Sequence, residues 1–304
     1  MQRKVAKIGP STLMVSLPTQ WVKKHGINKG DVVNVLEDGD KLTINLGTHT
    51  PTEKSATLSV EGLDVMLSRA IAGYYKKGYS EIKIVCDSHK KLADVYQALN
   101  VHWTGMEIVE QGASHILLRQ VSEVTKESFP AMLNRAFLFL IATSDASCHA
   151  LTSGNKESLR MVVARDPTQN KYCDFCRRVL NKESITGAPM IYYIVEQLER
   201  MGDLYRDLCK HFLEHPAKLK KHTALFQEAH ALLQQFYTLY YRFTLERYET
   251  LGTSFKTLQK RIEDALSPAD KQDVFFLMYL HQIAEAIFDI NGAALVLNLE
   301  TRKD

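Results

Sequence analysis

Glu199 and Asp203, within LERMGD, lie four residues apart, and Glu285 and Asp289, within EAIFD, repeat the spacing. On a helix, residues four apart share a face, so each pair holds two negative charges one turn apart, at a cost of a few tenths of a kcal/mol. Arg200 lies between the first two but points about 100° round the helix, and no basic residue is placed to pair with both. Two readings fit the pattern. One is a solvated acidic face, the rule for charged side chains. The other is a site where a bound cation relieves the repulsion, and all-oxygen donors suit hard cations, or iron, magnesium and manganese.

The elements that carry these pairs follow from periodicity. Ile191, Ile194, Val195, Leu198, Gly202, Tyr205 and Cys209 recur as a helical stripe, with Glu199 and Asp203 off its centre beside Glu196 and Asp207. Phe276, Leu280, Ile283, Ile287 and Ala294 form a second stripe, with Glu285 and Asp289 roughly opposite. From about residue 122 onward the apolar period stays near 3.6. Helices are predicted at about 126–152, 156–182, 189–213, 222–250, 253–266 and 270–299, with breaks at SGN, TGAP, Pro216, Gly252 and Ser267–Pro268. Acidic pairs in the third and sixth of six helices predict two three-helix units related by internal duplication.

Ahead of this region the pattern is different. Residues 1–47 contain TLMVSL, DVVNVL and KLTINL, three short β-rich runs, with EDGD as a hairpin turn between the last two. PTQWVKKHG reads as one short helix. A unit this small cannot bury a core alone, so it is expected to dimerise. GTHTPTEKSA, residues 47–56, reads as a linker. Residues 56–121 read as a small α+β domain: SATLSV and EIKIVCD as strands, helices over LDVMLSRAIAGYY and KLADVYQAL, and two strands around the turn in MEIVEQGASHILLRQV. In the first helix Leu63, Leu67, Ala70, Ile71 and Tyr74 share a face.

Composition narrows the function. The 304 residues, 45% hydrophobic and 24% charged with net charge +3, are those of a globular protein. Basic charge is concentrated at the start: Arg3, Lys4, Lys7, Lys23, Lys24 and Lys29 precede the first acid, Asp31. Such a patch is the footprint of a phosphate-backbone binder, although Lys23, Lys24 and Lys29 also fit a solvated helix and turn. No segment reaches the ~20 apolar residues of a membrane span, and the N-terminus lacks a secretory h-region, so a cytoplasmic protein is expected. Cys173 and Cys176 form a CxxC with no second pair and read as packing thiols. Cys148 and His149 diverge on a helix and make no nucleophile–base pair. FYTLYYRF, residues 236–243, reads as core or as a bundle or dimer contact. Without a glycine-rich phosphate loop or a catalytic constellation, neither an enzyme nor an organic cofactor is expected.

Two resemblances sharpen this. The N-terminal run RKVAKIGPSTLMVSLPTQWVKKHGINKGDVVNVLEDGDKLTI resembles the AbrB/SpoVT family of swapped-hairpin DNA-binding domains, in which a dimer interlaces its hairpins and presents a basic surface to DNA. It implies a DNA-binding and dimerisation domain over residues 1–47, with Arg3, Lys4 and Lys7 as the first DNA contacts. LERMGD resembles the E-R-x-x-D signature of PhoU proteins, regulators of phosphate uptake built of two three-helix bundles, over roughly 122–304. It implies iron, magnesium, manganese or zinc held at Glu199, Asp203, Glu285 and Asp289. Asp166, in ARDPTQNKY, is the likest match to the family's helix-two acid, with Asn170 where a second acid is usual. The combination resembles the archaeal type of PhoU-related regulator. The implied function is DNA-binding transcriptional regulation of phosphate uptake or homeostasis by a homodimer. The alternative is a PhoU-type module that binds a phosphate transporter, kinase or other signalling protein and uses its N-terminus only to dimerise.

Overall fold

The computed structural model describes residues 2–38, 41–46, 54–99, 103–267 and 269–299. The chain divides into two compact units, Met1–Glu53 and Lys54–Asp304.

In the first unit, β1 (Ala6–Ile8) and β2 (Thr12–Met14) form a hairpin that pairs Lys7 with Leu13. Gly9, at φ 77°, supplies the left-handed residue of its turn. Helix α1 (Thr19–His25) starts after Pro18 and stops at Gly26, again left-handed. The INKGD turn is closed by Asp31, whose carboxylate accepts from the Asn28 N–H at 2.7 Å. Strands β3 (Val33–Asp38) and β4 (Lys41–Leu46) pair antiparallel. The turn residues Gly39 and Asp40 expected between them, and the linker residues 47–53, lie outside the described residues. No described residue of this unit is buried, and eight of its apolar side chains, Val5, Ile8, Leu13, Met14, Val15, Val32, Val35 and Leu42, are 47–78% exposed. Exposed apolar area of this kind is typical of surfaces that association covers.

The second unit opens with a four-stranded sheet in the order β5-β6-β8-β7. Strand β5 (Ser55–Ser59) runs parallel to β6 (Glu81–Val85) across helix α2 (Leu67–Lys76). After helix α3 (His89–Leu99), the hairpin of β7 (Met106–Gln111) and β8 (His115–Gln120) completes the sheet. Ile82, Ile84, Ile116 and Leu118 alternate onto one face and pack with Leu67, Ile71, Tyr75 and Val95. Within α2 the expectation needs correction. The helix begins at Leu67, beyond Leu63, and the fully buried tyrosine is Tyr75 rather than Tyr74. Tyr75 stacks on Trp103 at 5.6 Å and its hydroxyl donates to the Thr104 carbonyl.

Among the described residues a 3-10 turn (Lys126–Ser128) leads into seven α-helices: α4 (Phe129–Ser153), α5 (Lys156–Val163), α6 (Asp166–Lys182), α7 (Ala188–Glu214), α8 (Thr223–Tyr241), α9 (Leu245–Leu266) and α10 (Lys271–Leu299). The second expected helix is therefore two. Asn155 caps α5 by accepting from the Ser158 N–H, and Pro167 sits in the first turn of α6, where a missing N–H costs nothing. The break expected at Gly252 is also misplaced. It falls at Arg242–Thr244, where the Thr244 hydroxyl caps α9 by accepting from the Arg247 N–H at 3.1 Å. Gly252 lies inside α9, because an interior glycine costs only about 1 kcal/mol against alanine. Pro268 lies outside the described residues.

Helices α4, α5 and α6 pack on α7, α8 and α9 pack on α10, and α7–α10 and α4–α8 contacts join the two groups around one core. Both expected stripes are buried in full. Among the described residues no helix is long and apolar enough to cross a membrane.

Candidate nucleic-acid interface and arginine–carboxylate cluster

Arg3, Lys4 and Lys7 are exposed at the leading edge of the first unit, two before β1 and one on it. None forms an ion pair among the described residues, so their charge is available to a phosphate backbone. Lys23 and Lys24 lie in the last turn of α1 with His25. Cations there offset the partial negative charge of a helix C-terminus, which gives these two lysines a local structural role.

Glu199 and Asp203 each meet an arginine, and no one basic residue meets both. Arg177 of α6 is 1% exposed, and its guanidinium lies between Asp174, Glu196 and Glu199. Asp174 accepts at 2.8 Å, Glu196 stands 2.5 Å from Nε, off the N–H direction, and Glu199 meets Nη1. One turn on, Arg206 of α7 reaches Asp203 at 2.5 Å, Asp207 at 2.8 Å and, across to α6, Asp166 at 2.9 Å. The Asn170 amide donates to the other Asp166 oxygen at 3.2 Å. Asp166 and Asp203 are thus brought together, whereas Glu199 belongs to a separate group.

Burial sets the electrostatics. It raises the Asp166, Asp174 and Glu199 carboxyls above their ordinary values, although each faces a cation. It also opposes the charge on Arg177 and Arg206, but the carboxylates around them outweigh it and push both upward. Glu285 and Asp289 are exposed on α10, and among the described residues Glu285 pairs with His281, 3.2 Å away on its own helix. Among the described residues no three His, Cys, Asp or Glu side chains are placed to hold a metal ion. As they stand, the residues fit guanidinium groups, not a metal centre.

Sequence reasoning missed Arg177, Arg178 and Arg206. Arg178 is fully buried and lies 4.8 Å over the Tyr75 ring. It donates to the Tyr75 carbonyl at 2.7 Å and to Gln120 Oε1 at 2.6 Å. Asn181 adds a bond to the Lys76 carbonyl, and Lys76 lies 3.9 Å from Asp174. Helix α6 therefore uses one side chain to bind the acids of α7 and the next to cap α2. The available signal was a polar helix flanked by apolar ones, with CxxC immediately before the two arginines. Cys173 and Cys176 are fully buried, and burial pushes the Cys176 thiol up to about 12, which suits packing and not reactivity. A second hidden network joins Tyr205, Ser144 and His230 at 2.9 and 3.1 Å. Ser144 is wholly buried in it.

Comparison with known proteins bears on the first unit. No curated protein and no solved structure matches the chain. Residues 7–55 match the family model described as antidote-toxin recognition MazE, bacterial antitoxin, so the N-terminal unit is similar to that domain, in support of its AbrB-like character.

Proposed function

We propose that the protein is a dimeric DNA-binding regulator whose N-terminal unit contacts DNA and whose helical region carries the signal. The observation that carries this reading is the exposed Arg3, Lys4 and Lys7 set on a unit that matches an antitoxin-type domain and has no buried residue among those described. A second copy would complete the core and double the basic surface. On the resemblance of LERMGD to PhoU proteins, the signal would be phosphate status. The packing of the seven helices as two groups supports that resemblance in outline.

The test is binding to duplex DNA from the region upstream of the protein's own gene, measured across salt concentrations. If each of six residues in a dimer holds a phosphate, replacing Arg3, Lys4 and Lys7 with Ala flattens the log–log salt slope by about 5. Affinity falls for all sequences alike. Unchanged affinity and slope would refute the assignment. Failure of the wild type to bind any DNA would favour the second reading, a protein-interaction module in which the exposed apolar strands serve only to dimerise.

A further inference from the structure

The two guanidinium groups of the acidic face occupy the space between its carboxylates. Arg206 is met by Asp166 from α6 and by Asp203 and Asp207 from α7. Arg177 is met by Asp174, Glu196 and Glu199. A divalent cation of the magnesium or manganese type needs about six oxygens in a near-octahedral shell. Here the carboxylate oxygens that converge do so on nitrogen donors. Asn170 takes the second oxygen of Asp166. Beneath the Arg206 group lies a cavity of about 10 Å³ lined by Thr143, Asp166, Gln169, Gly202 and Arg206, with the buried Gln169 Oε1 unpartnered. That volume admits one water and no hydrated ion. A guanidinium does not lose its proton in a protein, so these charges cannot be switched off to admit a metal.

We infer that the acidic face carries its own cations and takes no divalent metal, Arg206 tying the carboxylates of α6 and α7 together and Arg177 closing the neighbouring group. That the face holds no metal is in disagreement with what the resemblance to PhoU proteins implies, and the helical region keeps its fold without one. The inference is independent of DNA binding.

The experiment uses the full-length protein purified without a tag, with Mn²⁺ as the probe and the electron paramagnetic resonance signal of free Mn²⁺ as readout. The wild type leaves that signal undiminished at equimolar concentration, and EDTA moves its melting temperature by less than about 1 °C. R206A removes the guanidinium and leaves three carboxylates facing one another from two helices. Its melting temperature falls by several degrees, equimolar Mn²⁺ neither restores it nor loses free signal, and adding D203N recovers part of the loss by removing one of the repelling charges. If R206A does not fold, R206Q, closer in volume, is read by the same criteria. Stoichiometric depletion of the free signal by the wild type, or an R206A variant as stable as the wild type, would overturn the inference.

Discussion

Replacing Arg178 with Met tests whether α6 holds the sheet domain and the helical region as one unit. The guanidinium makes two charge-assisted hydrogen bonds, to the Tyr75 carbonyl and Gln120 Oε1, and stacks over Tyr75. Hydrogen bonds to charged groups contribute about 1.5–3 kcal/mol each. Three effects reduce the sum. The Tyr75 carbonyl still accepts from the Gly78 N–H at 3.0 Å, and a buried charge that burial already disfavours is removed. Methionine also recovers part of the packing. The net loss is about 2–4 kcal/mol, concentrated where α2 meets α6 rather than in either core. Calorimetry on the full chain is expected to show the sheet domain melting ahead of the helices. Hydrogen exchange should rise in α2 and β8 while α7 and α10 stay protected. A single transition lowered by less than about 1 kcal/mol, with exchange unchanged in α2, would refute the idea that Arg178 couples the two cores.

Leu13→Asp places a charge among the exposed apolar strands, where Leu13 is 69% exposed in one copy; light scattering should find a dimer for the wild type and a monomer for the variant at micromolar concentration. Asp273 is buried between Lys221 and His222, with His222 Nε2 at 2.9 Å from Oδ1. Burial raises its pKa, but these partners outweigh it and hold the carboxyl below its ordinary value. Its contribution is therefore present above the ordinary carboxylate range and lost as pH falls through the lowered value. Asp273→Asn should lower the melting temperature at pH 7, and the gap to wild type should narrow as pH falls below the ordinary carboxylate range; a gap that stayed constant across that range would contradict this assignment. Asp166, Asp174 and Glu199 have the opposite sign, because burial raises their values. Their stabilising contribution is full at acid pH and is lost as pH rises through those raised values, so the melting-temperature penalty of a combined Asp166→Asn, Glu199→Gln variant should be larger in acid than at neutral pH; a penalty that grew with pH would contradict this sign.

The sequence by itself determined the elements whose periods are local. The stripes of α7 and α10 were legible because a core-facing helix repeats every 3.6 residues whatever it packs against. The strands of the sheet domain were legible from β-branched runs set between breakers. The basic cluster before Asp31 needed no fold to be seen. Helix ends were less secure: Gly252 looked like a stop, yet the hydroxyl of Thr244 supplied a better start eight residues earlier. Only the tertiary structure decided what the acidic pairs meet. Arg177 is 22 residues from Glu199, and Arg206 is 40 from Asp166. Sequence reasoning places arginines in solvent by default, since burying an isolated charge costs several kcal/mol. That default fails where three carboxylates from an adjoining helix and the arginine's own compensate the charge. Long-range compensation of this kind leaves no periodic trace in either segment, so the partners of Glu199 and Asp203, and the docking of α2 by Arg178, exist only in the folded chain.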